Sequence, residues 1–257
     1  MNATTNSGDA PLTPLEVRGL RHCFGRAVVL RSVDLRIERG EIVGLVGANG
    51  AGKTTLFSIL TGLLVPDRGE LRFGAQALGE LSIEVRARIA YVAHGPQLFG
   101  GLSARENLEL YAGLRASVGA ATTPCDEALA RFGLTAAASR PASTFSRGMA
   151  QRLSLARALA GAPELLILDE PFTALDRQGR ELLAEVLRRE RERGAAILLS
   201  SHDHDMLMAV ADRILHLEGG VIADEVRRAE EDPDGERFRQ ALLAVWAGSA
   251  EPAAGAP

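Results

Sequence analysis

Residues 47–55 read Gly-Ala-Asn-Gly-Ala-Gly-Lys-Thr-Thr and fit G-x-x-x-x-G-K-[ST], a pattern that acquires meaning only between a strand and a helix. That context is present. The run EIVGLVG (41–47) leads into the loop as a buried apolar strand, and TTLFSILTGLL (54–64) leaves it as a helix. Glycines at these positions let successive backbone N–H groups wrap an anion at the helix N-terminus. Gly47, Asn49, Gly50, Gly52, Lys53, Thr54 and Thr55 are therefore expected to hold a nucleotide's phosphates. Lys53 would supply a point charge to the terminal phosphates, and Thr54 a hydroxyl to Mg2+.

Working outward, residues 15–20 and 32–37 read as short strands, and the pattern turns helical at Ser103. Ser103 and Glu106 form an S-x-x-E capping box, and Thr123-Pro124 opens a second helix by the cap-then-proline rule. Together they predict a helical lobe inserted at about 102–142. Beyond it, residues 146–161 form a helix stopped by Gly161 and Pro163, and residues 164–171 a core strand. Helix 177–194, strand 195–202, helix 203–212 and a hairpin over 213–225 with a Gly-Gly turn complete the alternation. The expected fold is α/β: an N-terminal antiparallel β subdomain, a mostly parallel core sheet and the helical insertion, within residues 14–228. Residues 1–13 read as a flexible leader and 229–257 as a partly disordered extension.

Composition narrows the function classes. With 257 residues, 46% of them hydrophobic, the chain can bury a large core. A net charge of −4 supplies no global basic field, which argues against nucleic acid or an anionic membrane as the main partner. Two cysteines without metal spacing and no signal-like start point to a reducing cytoplasm. The most apolar runs are too short to cross a bilayer, so a membrane role requires a partner chain.

Two further stretches carry chemistry. LLILDE (165–170) places Asp169 and Glu170 at the carboxyl end of a buried strand, where open α/β sheets bind ligands. Asp169 would hold Mg2+, and Glu170 would act as general base on the attacking water. FSRGMAQR (145–152) puts Ser146 and Gly148 at a helix start, a second anion site or an ordinary N-cap.

The phosphate loop, FSRGMAQR, LLILDEP, TALD (173–176) and SSHD (200–203), in that order, resemble the ATP-binding subunit of ATP-binding cassette (ABC) transporters over residues 15–225. The resemblance implies a P-loop NTPase in which two subunits sandwich two ATP molecules, Ser146 and Gly148 of one facing the phosphate at Lys53 of the other. It further implies that Asp176 lies across this dimer, which is expected to be a homodimer, and that His202 touches the terminal phosphate. Phe24 matches the aromatic that stacks on adenine, although a core aromatic looks the same in sequence. Lys53, Glu170 and His202 would be catalytic, with ATP and Mg2+ bound and an integral membrane permease driven from the inner face of the membrane. Arg147 and Met149 depart from the S-G-G-Q signature.

His94 stands where the family carries a glutamine that couples nucleotide state to the permease, and Gln97 lies three positions on. A coupling role, a satisfied surface or core histidine, and catalysis are the alternatives. Direct binding of Mg2+ by an imidazole is disfavoured by the metal's preference for oxygen. A second metal reading pairs His202 with His204. The segment around His94 resembles the haem-exporter ATPases of cytochrome c maturation, the leading cargo expectation. SRGMAQR resembles exporters of drugs, polysaccharides or other small cargo. An ABC ATPase acting on ribosomes or DNA is disfavoured by the single cassette and the absence of heptads.

Overall fold

Every residue of β3 (Ile42–Val46), β7 (Leu165–Asp169) and β8 (Ala196–Ser200) is buried, as expected for strands covered on both faces. The computed structural model describes residues 11–228, 238–240 and 243. These three strands join β6 (Ile89–Val92), β9 (Arg213–Glu218) and β10 (Val221–Arg227) in a sheet of order β10-β9-β3-β8-β7-β6. All its pairings are parallel except that of β10 with β9. Parallel direction brings the strand ends Val46, Val92, Asp169 and Ser200 to one edge, with Ser200 paired to both Leu45 and Asp169. The turn between β9 and β10 is Gly219-Gly220, both at positive φ (54° and 79°), the geometry of a tight hairpin.

The second sheet is antiparallel, in the order β2-β1-β4-β5, from β1 (Leu15–Phe24), β2 (Ala27–Ile37), β4 (Arg68–Phe73) and β5 (Gln76–Ala77). Helix α1 (Lys53–Leu60) buries Leu56, Phe57, Ile59 and Leu60 in one apolar cluster with residues of both sheets. That packing fixes the phosphate loop between them. β1 and β2 run further than the hydrophobic pattern predicts: pairing continues to Phe24 and Ala27 across register shifts beyond Val17. β4, β5 and the short α2 (Ile83–Arg86) have no counterpart in the sequence reading.

The insertion contains α3 (Ala104–Ala116) and α4 (Cys125–Arg131), which pack on α5 (Arg147–Leu159). The Ser103–Glu106 capping box is reciprocal: the Glu106 N–H donates to Ser103 Oγ (3.2 Å), and the Ser103 N–H to Glu106 Oε2 (2.7 Å). The second start is shifted. Pro124, not Thr123, sits at the cap position of α4, without a side-chain cap, and the Thr123 N–H donates to the Ala160 carbonyl at the end of α5 (2.7 Å). Buried Arg115 ties the insertion to the core by donating to the carbonyls of Ala87, Ala121 and Gly161.

Helices α6 (Arg177–Glu192) and α7 (His204–Val210) complete the layers. The expected leader reaches too far: Leu12 is buried, and its N–H donates to Glu164 Oε2 (3.1 Å). Residues 1–10 lie outside the described residues. In the extension Phe238 is buried beneath the Arg228 guanidinium (5.2 Å), and Arg239 pairs with Asp205 of α7 (3.4 Å); most of 229–257 lies outside the described residues. Among the described residues no helix is long and apolar enough to cross a membrane.

Candidate active site

The phosphate loop leaves β3 at Val46 and enters α1 through Gly52, whose φ of 108° and position both demand glycine. A Cβ on Gly52 would lie 2.8 Å from Leu30, and one on Gly47 would lie 2.4 Å from the Leu217 carbonyl oxygen. The first turn of α1 has neither an acidic residue nor a side-chain cap, so its N–H groups face outward with the positive end of the helix dipole. Lys53 Nζ meanwhile donates to the carbonyls of Gly47 (2.7 Å) and Ala48 (3.2 Å). Burial lowers the pKa of Lys53, partly offset by the charges of Glu170 and Asp169.

A hydrogen-bonded chain runs from this loop to the acids. Thr54 Oγ1 donates to Asp169 Oδ2 (2.9 Å), Ser200 Oγ to Asp169 Oδ1 (2.7 Å), and the Glu170 N–H to Ser200 Oγ (3.0 Å). Glu170 is buried in the left-handed region (φ 54°), a conformation that costs about 1–3 kcal/mol and persists where the surroundings impose it. Its Oε2 accepts the His202 N–H (3.1 Å); its Oε1 has no hydrogen bond and lies 3.5 Å from His202 Nε2. A carboxylate with one oxygen engaged and the other free, beside a phosphate loop, is placed to accept a proton. Ser200 was missed in the sequence because a serine ending an apolar strand has no local signature.

Asn49, Gly50, Gly52, Lys53, Thr54, Thr55, His94, Asp169, Glu170 and His202 line one cleft of about 570 Å³, together with Val29 and Thr173. His94 is exposed on its wall, so the core alternative falls away. Gln97 is not on the wall; it is exposed, and its carbonyl accepts from Arg157. Phe24 is 54% exposed at the end of β1, which removes the core-aromatic alternative.

Phe24, Gly47, Ser146, Gly148 and Asp176 are not among the residues lining this cleft, although Gly47 belongs to the loop and its carbonyl holds Lys53. Ser146 caps α5 by accepting from the Met149 N–H (3.2 Å), and Asp176 caps α6 by accepting from the Gly179 N–H (2.7 Å). Gly148 packs so tightly that a Cβ would lie 2.7 Å from the Ala174 carbonyl oxygen. Among the described residues, no group of three or more His, Cys, Asp or Glu side chains that could hold a metal ion occurs around His202 and His204 or elsewhere.

A family model described as ABC transporter matches residues 30–173. The chain belongs to the ABC transporter family. This ABC subunit is 40% identical over 235 residues to the aliphatic sulfonates import ATP-binding protein SsuB 2 of Frankia alni, covering 89% of each chain. It is 36% identical over 209 residues to the Nod factor export ATP-binding protein I of Bradyrhizobium diazoefficiens, covering 80% of this chain and 68% of the relative. Among solved structures it resembles the dimeric post-hydrolysis state of the ATP-binding cassette MJ0796 bound to ADP and Pi. That likeness has a TM-score of 0.73 at 25% identity, covering 84% of this chain and 99% of the other. The ABC subunit is thus an ATPase and the ATP-binding component of a transporter. The expected haem-exporter subtype finds no support in these relatives, whose names concern sulfonate import and Nod factor export.

Proposed function

We propose that this ATPase works as a homodimer on the cytoplasmic face of a membrane, where it hydrolyses ATP with Mg2+ to drive a separate permease. The observation that carries the hydrolytic reading is the hydrogen-bonded chain Thr54–Asp169–Ser200–Glu170 beside the phosphate loop. The loop N–H groups and Lys53 bind the phosphates. Thr54 and Asp169 offer hydroxyl and carboxylate oxygens, the hard donors that Mg2+ prefers. The ion, when bound, supplies neutralisation of charge on the phosphate oxygens. Glu170 takes a proton as water attacks the terminal phosphorus and the bond to the ADP oxygen breaks, while His202 hydrogen-bonds the departing phosphoryl oxygens.

Ser146, Gly148 and Asp176 act on the partner's nucleotide, a reading supported by their absence from the lining of this chain's own cleft. Phe24 stacks on the base, and its exposure at the end of β1 supports that role. His94 couples nucleotide state to the permease, supported by its position on the cleft wall. For cargo, a small anionic solute is favoured because the sulfonate importer aligns over 89% of both chains. A small-cargo exporter is the second reading, favoured by the Nod factor relative.

Two measurements test this. Glu170→Gln should lower phosphate release by about 10²–10⁴-fold while ATP affinity stays within a few fold; undiminished release would overturn the base assignment. Affinity purification from gently solubilised host membranes should recover an integral permease, and recovery of ribosomes or DNA factors instead would overturn the transport reading.

A further inference from the structure

The face of β1 that points into the core carries Leu15, Val17, Leu20 and His22 before the strand runs out into exposed Phe24. His22 is only 6% exposed, yet both ring nitrogens lack a hydrogen bond. Asp67 does not relieve them: its Oδ2 accepts the Cys23 N–H (2.7 Å) and stays 3.9 Å from His22 Nδ1. Burying an imidazole without partners is unfavourable, so its place needs a reason other than polar pairing. The ring itself supplies one. His22 meets Phe24 edge to face, with centroids 4.8 Å apart and planes at 83°, a favoured aromatic geometry.

We infer that His22 is a positioning residue for the nucleobase: its ring holds the otherwise exposed Phe24 ring in the orientation that receives the base. The inference rests on the reading of Phe24 as the stacking aromatic. A two-residue turn, Gly25-Arg26, leaves Phe24 exposed beyond the core, so without His22 the ring would sample several rotamers and binding would have to order it. Fixing it beforehand benefits a ligand only through its base.

The test compares full-length wild type with Phe24→Ala, His22→Leu and His22→Phe, measuring KM and kcat for ATP and the affinity for inorganic tripolyphosphate, which has phosphates and no base. His22→Leu keeps the buried volume filled while removing the ring; His22→Phe restores a ring. The expected result is a rise in KM for ATP of about three- to tenfold for Phe24→Ala and for His22→Leu. For both, kcat should stay within twofold and tripolyphosphate affinity should be unchanged, and His22→Phe should return KM towards wild type. If Phe24→Ala leaves KM unchanged, the stacking reading fails and the inference with it. If Phe24→Ala raises KM and His22→Leu does not, only the inference fails. Equal weakening of ATP and tripolyphosphate in His22→Leu would make His22 merely structural and overturn it.

Discussion

Lys53 shows how a single residue is tuned by what surrounds it. Burial disfavours the charged Lys53 and lowers its pKa, so between the folded value and the ordinary lysine value the unfolded chain binds more protons than the folded one. Stability of the nucleotide-free protein should therefore rise with pH across that window, as the cost of the buried charge is relieved. Bound phosphate reverses the balance, because an anion beside the ammonium favours its protonated form. ATP binding should take up a proton on the alkaline side, and affinity should fall as pH climbs through the lowered pKa. Calorimetry in buffers of different ionisation enthalpy would detect the uptake, and Lys53→Arg, permanently charged, should abolish it. An identical proton balance in wild type and Lys53→Arg would contradict the assignment.

At the scale of elements, two residues at the start of α5, Ser146 and Gly148, separate stability from function. Replacing Ser146 by Ala removes an N-cap worth about 1 kcal/mol. In a chain of this size that lowers the melting temperature by about 2–4 °C. Gly148→Ala forces a Cβ against the Ala174 carbonyl oxygen, and overpacking of this kind costs about 1–3 kcal/mol. Thermal scans of both variants alongside their ATPase rates should show Ser146→Ala mildly destabilised but severely slowed; a rate falling only in step with the melting temperature would leave Ser146 as a cap alone. Elements specified locally were legible beforehand: the capping box at Ser103 and the glycine loop before α1 need only their own residues. Those that depend on distant partners were not. β4 and β5 are short and largely polar; β4 exists because β1 offers an edge to pair with, and β5 because β4 then offers the next. Ser200 and the burial of Leu12 depend likewise on chain remote in sequence.

For the whole molecule, Ser146 and Asp176 do not line the Lys53 cleft, and in the proposed homodimer each chain would carry two half-sites. Mixing Lys53→Ala chains with Ser146→Arg chains should therefore restore activity that neither has alone, since one site of the mixed dimer combines an intact phosphate loop with an intact opposing helix start. Phosphate release measured across mixing ratios should peak near equal amounts; a flat response would show that each chain works independently. The bonding within the cleft has a further consequence for life among crowded cellular anions. Lys53 gives two of its three ammonium hydrogens to the Gly47 and Ala48 carbonyls and Thr54 gives its hydroxyl hydrogen to Asp169, so an anion that is to take these contacts as well as the outward N–H groups must displace bonds the chain already makes. A single inorganic phosphate offers too few oxygens to replace them all, whereas a triphosphate spans the loop and repays the exchange at several points together. The loop thereby discriminates by chain length, and abundant small anions in the surrounding fluid make poor competitors.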